Sequence, residues 1–397
     1  MTKLIIRVSH LVAAGMLLFV LSLSQAPATL ASTQIEWAEK LEHSDGGFQR
    51  ALKPPAWDFP TDFGPHPEYQ TEWWYYTGNL EDDNGRPFGF QFTVFRQGLT
   101  PQPAGGASAM ATTGWRTPQV YSAHFTVSDI QSDQFQHQER FSRGAQGIAG
   151  ASADPYRVWL NDWQIRALDP EAKNVTLRAS TEQMAIDLQL GNNRAPVLQG
   201  NGGLSQKGPE AGNASLYYSL IQQPTSGLLR LGDHTYDVHG VSWKDHEIFT
   251  NSLSKDTVGW DWFSAQFDDG SALMLYGLRH EDGNLAAESN GLWIPADAKT
   301  PVSLSPSDID QKIISHWRSP HSGATYPAGW EVKIPRLDLV LSVEPMMADQ
   351  ELSTASAIYW EGAVRYQGQQ ASNSLNGRGY AELTGYADRL DGLLGSK

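Results

Sequence analysis

Apolar and polar residues alternate along much of this chain with a period of two, the spacing of half-buried β-strands rather than of helices. The clearest run places Phe88, Phe90, Phe92 and Val94 on one face and Gly89, Gln91 and Thr93 on the other. An aromatic run precedes it, Thr71-Glu72-Trp73-Trp74-Tyr75-Tyr76-Thr77-Gly78, with Asp83-Asn84-Gly85 between the two. Asn-Gly flanked by such runs is a strong hairpin signal, because the tight turn needs positive φ at both central residues. Alternation returns at Tyr121, Ala123, Phe125 and Val127, at Met184, Ile186, Leu188 and Leu190, and at Leu337, Leu339, Leu341 and Val343. Asp154-Pro155 and Gly191-Asn192-Asn193 read as turns, and Tyr359-Trp360-Glu361-Gly362 starts a further strand. Short strands punctuated in this way predict an all-β fold, sandwich or barrel.

The second half repeats the opening in outline. Gly259-Trp260-Asp261-Trp262-Phe263 is again an aromatic strand, Asp268-Asp269-Gly270 the turn, and Ala272 to Arg279 the return. Both units run aromatic strand, Asx-Gly turn, apolar strand and terminal Arg, with spacings that differ by a few residues. Two tandem antiparallel β-barrel domains are therefore expected, 61–240 and 241–390, with the break between Ser226 and Glu247. Residues 32–60 read as a leader or linker with a short helix at Ile35 to Leu41, 101–114 as a Gly- and Ala-rich loop, and Ala387 to Leu394 as a closing helix.

At the amino terminus the alternation gives way to a continuous apolar stretch, Leu11 to Leu23, behind Lys3 and Arg7 and ahead of the small residues Ala26, Ala28 and Ala31. That is the build of a secretory signal peptide over residues 1–31, too short to span a bilayer comfortably. An exported protein, periplasmic or secreted, is expected. The 397 residues include no cysteine, which excludes disulfides, thiolate catalysis and a lipidated amino-terminal Cys. A formal charge of −15 argues against a phosphate-binding surface, so nucleic acid is not an expected partner.

No Gly-x-Ser-x-Gly elbow, phosphate-binding Gly-Lys-Ser/Thr loop or His-Glu-x-x-His motif is present. The densest ionisable cluster is His239-Gly240-Val241-Ser242-Trp243-Lys244-Asp245-His246-Glu247. On a strand, Trp243, Asp245 and Glu247 would share one face and Lys244 and His246 the other, while a bulge or turn would bring Asp245 and His246 together. Asp261 sits between Trp260 and Trp262. An aspartate in apolar surroundings favours its neutral form and can donate a proton near neutral pH, and indole faces can stabilise a developing cation. Against this stands the structural reading, in which such acids cap strands or pair with an Arg such as Arg279. His239, His246 and a carboxylate form too loose a set to assign a metal, and no cofactor is implied. The candidate catalytic residues are Asp245, His246 and Asp261, and the candidate ligand-binding residues Trp73, Trp74, Trp243, Trp260 and Trp262.

Several ordered motifs carry a resemblance. They are Glu72-Trp73-Trp74-Tyr75, Ala214 to Ser219, Gly240 to Glu247, Gly259 to Phe263, Trp317-Arg318-Ser319-Pro320, Tyr326-Pro327, Tyr359 to Gly362 and Gly379 to Tyr386. Together, over roughly residues 55–390, they resemble the AttH and carotenoid 1,2-hydratase family, and most closely its secreted branch. The resemblance implies two lipocalin-like β-barrels packed together. It includes enzymes that hydrate a terminal double bond of acyclic carotenoids, relatives called secreted hydrolases, and members near transport systems. Lys244 and Glu247 depart from the pattern of the dedicated hydratases. Three functions are carried forward: hydration of an isoprenoid-like alkene by Asp245 or Asp261 with His246 handling the water, non-catalytic carriage of an apolar small molecule with transport-system partners, and ester hydrolysis.

Overall fold

The computed structural model describes residues 46–101, 117–251, 253–254, 256–297 and 300–387. The expected signal segment, the helix at Ile35 to Leu41, nearly all of the 101–114 loop and all but the first residue of the closing helix lie outside the described residues.

The first sheet opens with β1 (Thr71–Asp82), β2 (Pro87–Gly98), β3 (Gln119–Asp129) and β4 (Gln134–Arg143). There follow β5 (Ala149–Ala153), β6 (Tyr156–Leu160), β7 (Trp163–Ala167), β8 (Asn174–Ser180) and β9 (Met184–Gly191). Short β10 (Val197–Leu198) and β11 (Leu204–Gln206) precede the long pair β12 (Ala214–Leu231) and β13 (His234–Phe249). The spatial order is β4-β3-β2-β1-β13-β12-β9-β8-β7-β6-β5, with β10 and β11 both paired to β12. The sheet curls until β5 and β6 pack against β3 and β4, making a barrel-like wall.

The second sheet contains β14 (Thr257–Phe267), β15 (Ala272–His280), β16 (Asn290–Ile294), β17 (Val302–Leu304) and β18 (Asp310–Arg318). It is completed by β19 (Thr325–Ile334), β20 (Leu339–Pro345), β21 (Glu351–Ser353), β22 (Ile358–Gln370) and β23 (Asn373–Leu383). The order is β17-β16-β15-β14-β23-β22-β20-β19-β18, with β21 on β22. The all-β, two-barrel expectation holds. Both hairpin turns fall where the sequence places them, with Gly85 at φ 77° and Gly270 at φ 88°.

The two sheets meet later than expected. Residues 240 and 241 lie inside β13, which pairs with β1 on one side and β12 on the other as far as Ile248, and with β1 to Phe249. A strand clamped on both edges cannot end mid-run, so the change of sheet falls at 250–256. Residues 46–60 are not a free linker either. Phe48 and Ala51 are buried, and Trp57 and Phe59 pack on Tyr218 with ring centroids at 5.4 and 4.9 Å.

Three apolar clusters explain why so many strands are buried on both faces. One fills the first barrel, around Trp74, Phe90, Phe92, Phe125, Trp163 and Leu188. A second fills the second barrel, around Phe263, Trp330, Leu341 and Trp360. The third joins the outer faces of both sheets through Tyr75, Tyr217 and Trp243 on one side and Trp262, Tyr276 and Tyr380 on the other. Close approach at this seam needs a glycine: a Cβ on Gly89 would stand 2.5 Å from the Tyr380 hydroxyl and 3.1 Å from Ala363. The strands β1, β12 and β13 thus separate a barrel interior from an inter-sheet seam. The candidate residues divide between the two.

Candidate functional site

Alternation along β13 sorts its ionisable residues. Asp245 pairs with Tyr75 and Ser219 in register, and His246 with Trp74 and Tyr218. The only register shift on the β12 side comes between Leu220 and Gln223, beyond both residues, so no bulge turns one side chain towards the other. Trp243, Asp245 and Glu247 face the seam, while Lys244 and His246 face the interior of the first barrel. Asp245 and His246 therefore do not form one site.

On the seam side Asp245 is buried and accepts three hydrogen bonds. The Tyr217 hydroxyl donates to Oδ2 at 2.6 Å, and Ser219 Oγ and Trp243 Nε1 donate to Oδ1 at 2.5 and 2.7 Å. Burial outweighs these donors and lifts the carboxyl to about 7, with the Glu247 charge adding to the rise. Trp262 Nε1 donates to the Tyr217 hydroxyl at 3.2 Å, and its ring meets Trp243 at 6.2 Å and Tyr75 at 5.3 Å. Trp260 Nε1 donates to Glu382 at 2.8 Å, and the Tyr75 hydroxyl donates to Glu361 Oε1 at 2.8 Å. Burial raises Glu382 to about 7 despite the Trp260 hydrogen bond, and raises Glu361 well above the carboxylate range, helped by the charge of Glu382. Among the described residues Glu361 Oε2 is buried with no hydrogen-bond partner, a setting that would penalise a full carboxylate charge. Among the described residues, of these seam acids Glu247 alone has a cation within 4.0 Å, Lys207 Nζ at 2.9 Å. Near pH 7 the seam thus holds proton-bearing carboxyls walled by indole and phenol rings.

Asp261 is elsewhere. On β14, Trp260 and Trp262 point to the seam and Asp261 to the other face, where Arg279 Nε donates to it at 2.9 Å and Tyr386 at 3.0 Å. Burial raises its carboxyl, and the guanidinium and phenol oppose that rise. This is the paired, strand-anchoring arrangement. Of the five expected ligand tryptophans, Trp243, Trp260 and Trp262 gather at the seam acids. Trp73 lies further along the same face against Phe249 and Phe95, at 4.8 and 6.1 Å. Trp74 is inside the first barrel, its ring 4.9 Å from His246 and its Nε1 donating to the Phe63 carbonyl at 2.9 Å.

The barrel interior carries a second polar group. His246 Nε2 donates to Glu72 Oε1 at 2.8 Å and its Nδ1 accepts from the Tyr218 hydroxyl at 2.8 Å. Burial, Lys244 and His66 press His246 down to about 3, against Glu72, so the ring is neutral. His66 is the opposite case: burial would lower it, yet Asp62 and Glu72 raise it to about 9. Glu72 also receives Arg96 Nε at 2.8 Å, and Arg96, His246 and His66 overcome its burial to hold it well below the carboxylate range. His66, Glu72 and His246 each offer one atom within 4.8 Å of the others. Both ring nitrogens already meet Glu72 Oε1 in hydrogen bonds, and the Arg96 guanidinium holds the second Glu72 oxygen. His239 is not part of it; it is exposed and 3.8 Å from Glu81.

A cleft of about 420 Å³ opens beside the seam, lined by Val197, Ile221, Leu292 and Ile294 with Arg194 near them. Val197, Ile221, Leu292 and Ile294 belong to the same cluster as Tyr217, Trp243 and Trp262, and the cleft lining includes none of the candidate acids.

The AttH-like family model matches residues 50–386, nearly every residue described above. The chain belongs to the AttH-like family. A solved structure from Nitrosomonas europaea assigned to AttH is 32% identical and aligns over 85% of this chain and 100% of its own, with a TM-score of 0.74. Kievitone hydratase from Nectria haematococca is 13% identical over 87% of this chain and 97% of its own, with a TM-score of 0.63, which shows a shared fold. No curated protein sequence matches this chain. Within this AttH-like frame, the sequence motifs contain Tyr217, Ser219, Glu361 and Glu382 at the seam and Glu72 and Tyr218 inside the barrel without giving them a role, and His66 lies in none of the motifs. One signal for the acids was available. Glu361 and Glu382 each interrupt an apolar strand, Trp360-Glu361-Gly362 and Ala381-Glu382-Leu383, in strands with little polar face to spare.

Proposed function

We propose that this AttH-like protein adds water across a carbon–carbon double bond of an apolar, isoprenoid-like substrate, with Asp245 as proton donor. The observation that carries the reading is the buried Asp245 carboxyl, lifted to about 7 and set beside Trp243 and Tyr217. A carboxylic acid retained near neutral pH can protonate the less substituted alkene carbon, which an ordinary exposed aspartate does poorly. The resulting tertiary cation would sit against the indoles of Trp243 and Trp262. Water then adds, and its proton returns to the Asp245 carboxylate by way of ionised Glu382, which also titrates near 7 and senses the Asp245 charge, so each acid ends as it began. His246 has no part in this step, since it faces the barrel interior. The hydratase activity named for the Nectria haematococca protein supports the class of reaction on this fold. Export by the amino-terminal segment, and a substrate met outside the cytoplasm, belong to the same proposal.

The test is incubation with acyclic isoprenoid alkenes in heavy-oxygen water, followed by mass spectrometry. The expected product is the intact skeleton plus one labelled water, and Asp245→Asn forms none while still quenching its tryptophans on binding. Full activity in Asp245→Asn overturns the assignment, and a split substrate points to hydrolysis. The apolar cleft beside the seam favours carriage as the second reading. In that case ligand binds, Trp262→Ala weakens it and no product accumulates.

A further inference from the structure

The hydration reading leaves Lys244 unused. Its side chain is fully buried in the first barrel, on the face of β13 opposite Asp245. Among the described residues Nζ has one hydrogen bond, donated to the Tyr218 hydroxyl at 3.0 Å, and no carboxylate within 4.0 Å. Aromatic rings surround it: Phe63 at 4.8 Å, Tyr156 and Tyr218 at 5.1 Å and Tyr76 at 5.8 Å. An ammonium has three donors to satisfy and pays heavily for desolvation without a counter-ion, whereas a free amine can rest here with a lone pair to spare. Burial accordingly takes Lys244 well below the usual lysine range, against the more distant charges of Glu72 and Asp245. The residue beside it is suited to moving protons. Tyr218 Oη touches both Lys244 Nζ and His246 Nδ1, and His246 continues to Glu72.

We propose that Lys244 is the nucleophile of a second site, inside the first barrel, which condenses with the aldehyde group of a small apolar ligand to form an imine. The nitrogen lone pair adds to the carbonyl carbon and the C=O π pair moves to oxygen. The two amine protons pass to that oxygen, with Tyr218 as the carrier 3.0 Å from the nitrogen, and the C–O bond breaks to release water. No oxidant, metal or external acid is consumed. The hydroxyl relay and the aromatic enclosure select an uncharged carbonyl compound over a carboxylate or a phosphate.

The experiment treats the whole protein at pH 7 with propanal and sodium cyanoborohydride, then maps modified lysines by peptide mass spectrometry. Exposed Lys53, Lys173 and Lys312 serve as internal references. Lys244 is expected to carry at least about tenfold more propyl adduct than any of them, as a depression of one pKa unit raises the free amine tenfold. Tyr218→Phe, checked by circular dichroism for an unchanged strand spectrum, is expected to slow labelling at Lys244 and leave the reference lysines unaltered. Labelling confined to exposed lysines in the wild-type protein overturns the proposal, whether the rings hold Lys244 as a cation or shut the aldehyde out. Equal labelling in Tyr218→Phe removes Tyr218 from the step.

Discussion

The Tyr217 hydroxyl lies 2.6 Å from Asp245 Oδ2, and the indole nitrogen of Trp262 meets the same hydroxyl at 3.2 Å. One phenol on the first sheet therefore holds the acid of its neighbouring strand and receives the tryptophan of the other sheet. The seam acid is positioned by both barrels at once, and its acidity depends on a donor that can be removed without touching the carboxyl.

Tyr217→Phe should move the pH profile of hydration. The Tyr217 hydrogen bond stabilises the charged carboxylate and lowers Asp245. In the wild-type protein, activity is expected to fall above pH 7 as the donor loses its proton. Without the hydroxyl that limb should shift upward by about one to two units, the equivalent of one hydrogen bond to a charged group. A rate–pH series on both proteins checks it, and an unmoved limb would assign the ionisation to another group.

His66 predicts the alkaline side of the stability curve. Its native value of about 9 is raised, so its stabilisation is complete below about pH 6.5 and is lost as pH rises to 9. Up to about 3 kcal/mol is at stake over that window. Melting temperature should therefore fall between pH 6.5 and 9, and His66→Gln should flatten the decline. On the acid side His246, lowered to about 3, works in the opposite sense: stability is lost as pH falls from about 6.5 towards 3 and the ring must charge.

Glu72→Gln should be among the most damaging single changes. Glu72 and Arg96 are both fully buried and paired at 2.8 Å, and two histidines share the same carboxylate. Removing the charge strands the guanidinium in the barrel, a loss of about 3–5 kcal/mol. Urea denaturation should show a large drop in midpoint with little change in slope.

Gly89→Ala probes the seam by bulk alone. Its added methyl would press on the Tyr380 hydroxyl and Ala363, so a destabilisation of about 1–3 kcal/mol is expected. Gly85→Ala, with open space around its Cβ position, separates this from backbone strain at a positive φ. Since Gly89 has no positive φ, a Gly89→Ala protein as stable as wild type would show that crowding at the seam does not limit residue 89.

The fold was largely legible because its signals are local. A two-residue period, an Asx-Gly turn and a second copy of the same hairpin name strands wherever the chain is read. The face assignment of Trp243, Lys244, Asp245 and His246 was legible for the same reason, since alternation forbids neighbours from sharing a side. What alternation does not carry is which of two faces meets another sheet. Asp261, flanked by Trp260 and Trp262, was the alternative to Asp245, which follows Trp243 by two residues. They parted company in space, because Asp261 lies opposite its neighbouring indoles and Asp245 lies with Trp243. Glu361 joins the seam through Tyr75, 286 positions away in sequence. Pairings that distant are set by docking of the barrels, and no window of adjacent residues contains them.

β13 behaves as a party wall between two chambers. Odd-numbered residues from Trp243 to Glu247 belong to one room, and Lys244 and His246 to the other. Each chamber can consequently change its chemistry one alternate position at a time while its neighbour keeps its furniture, so a single ribbon of backbone is able to support two separate specialisations.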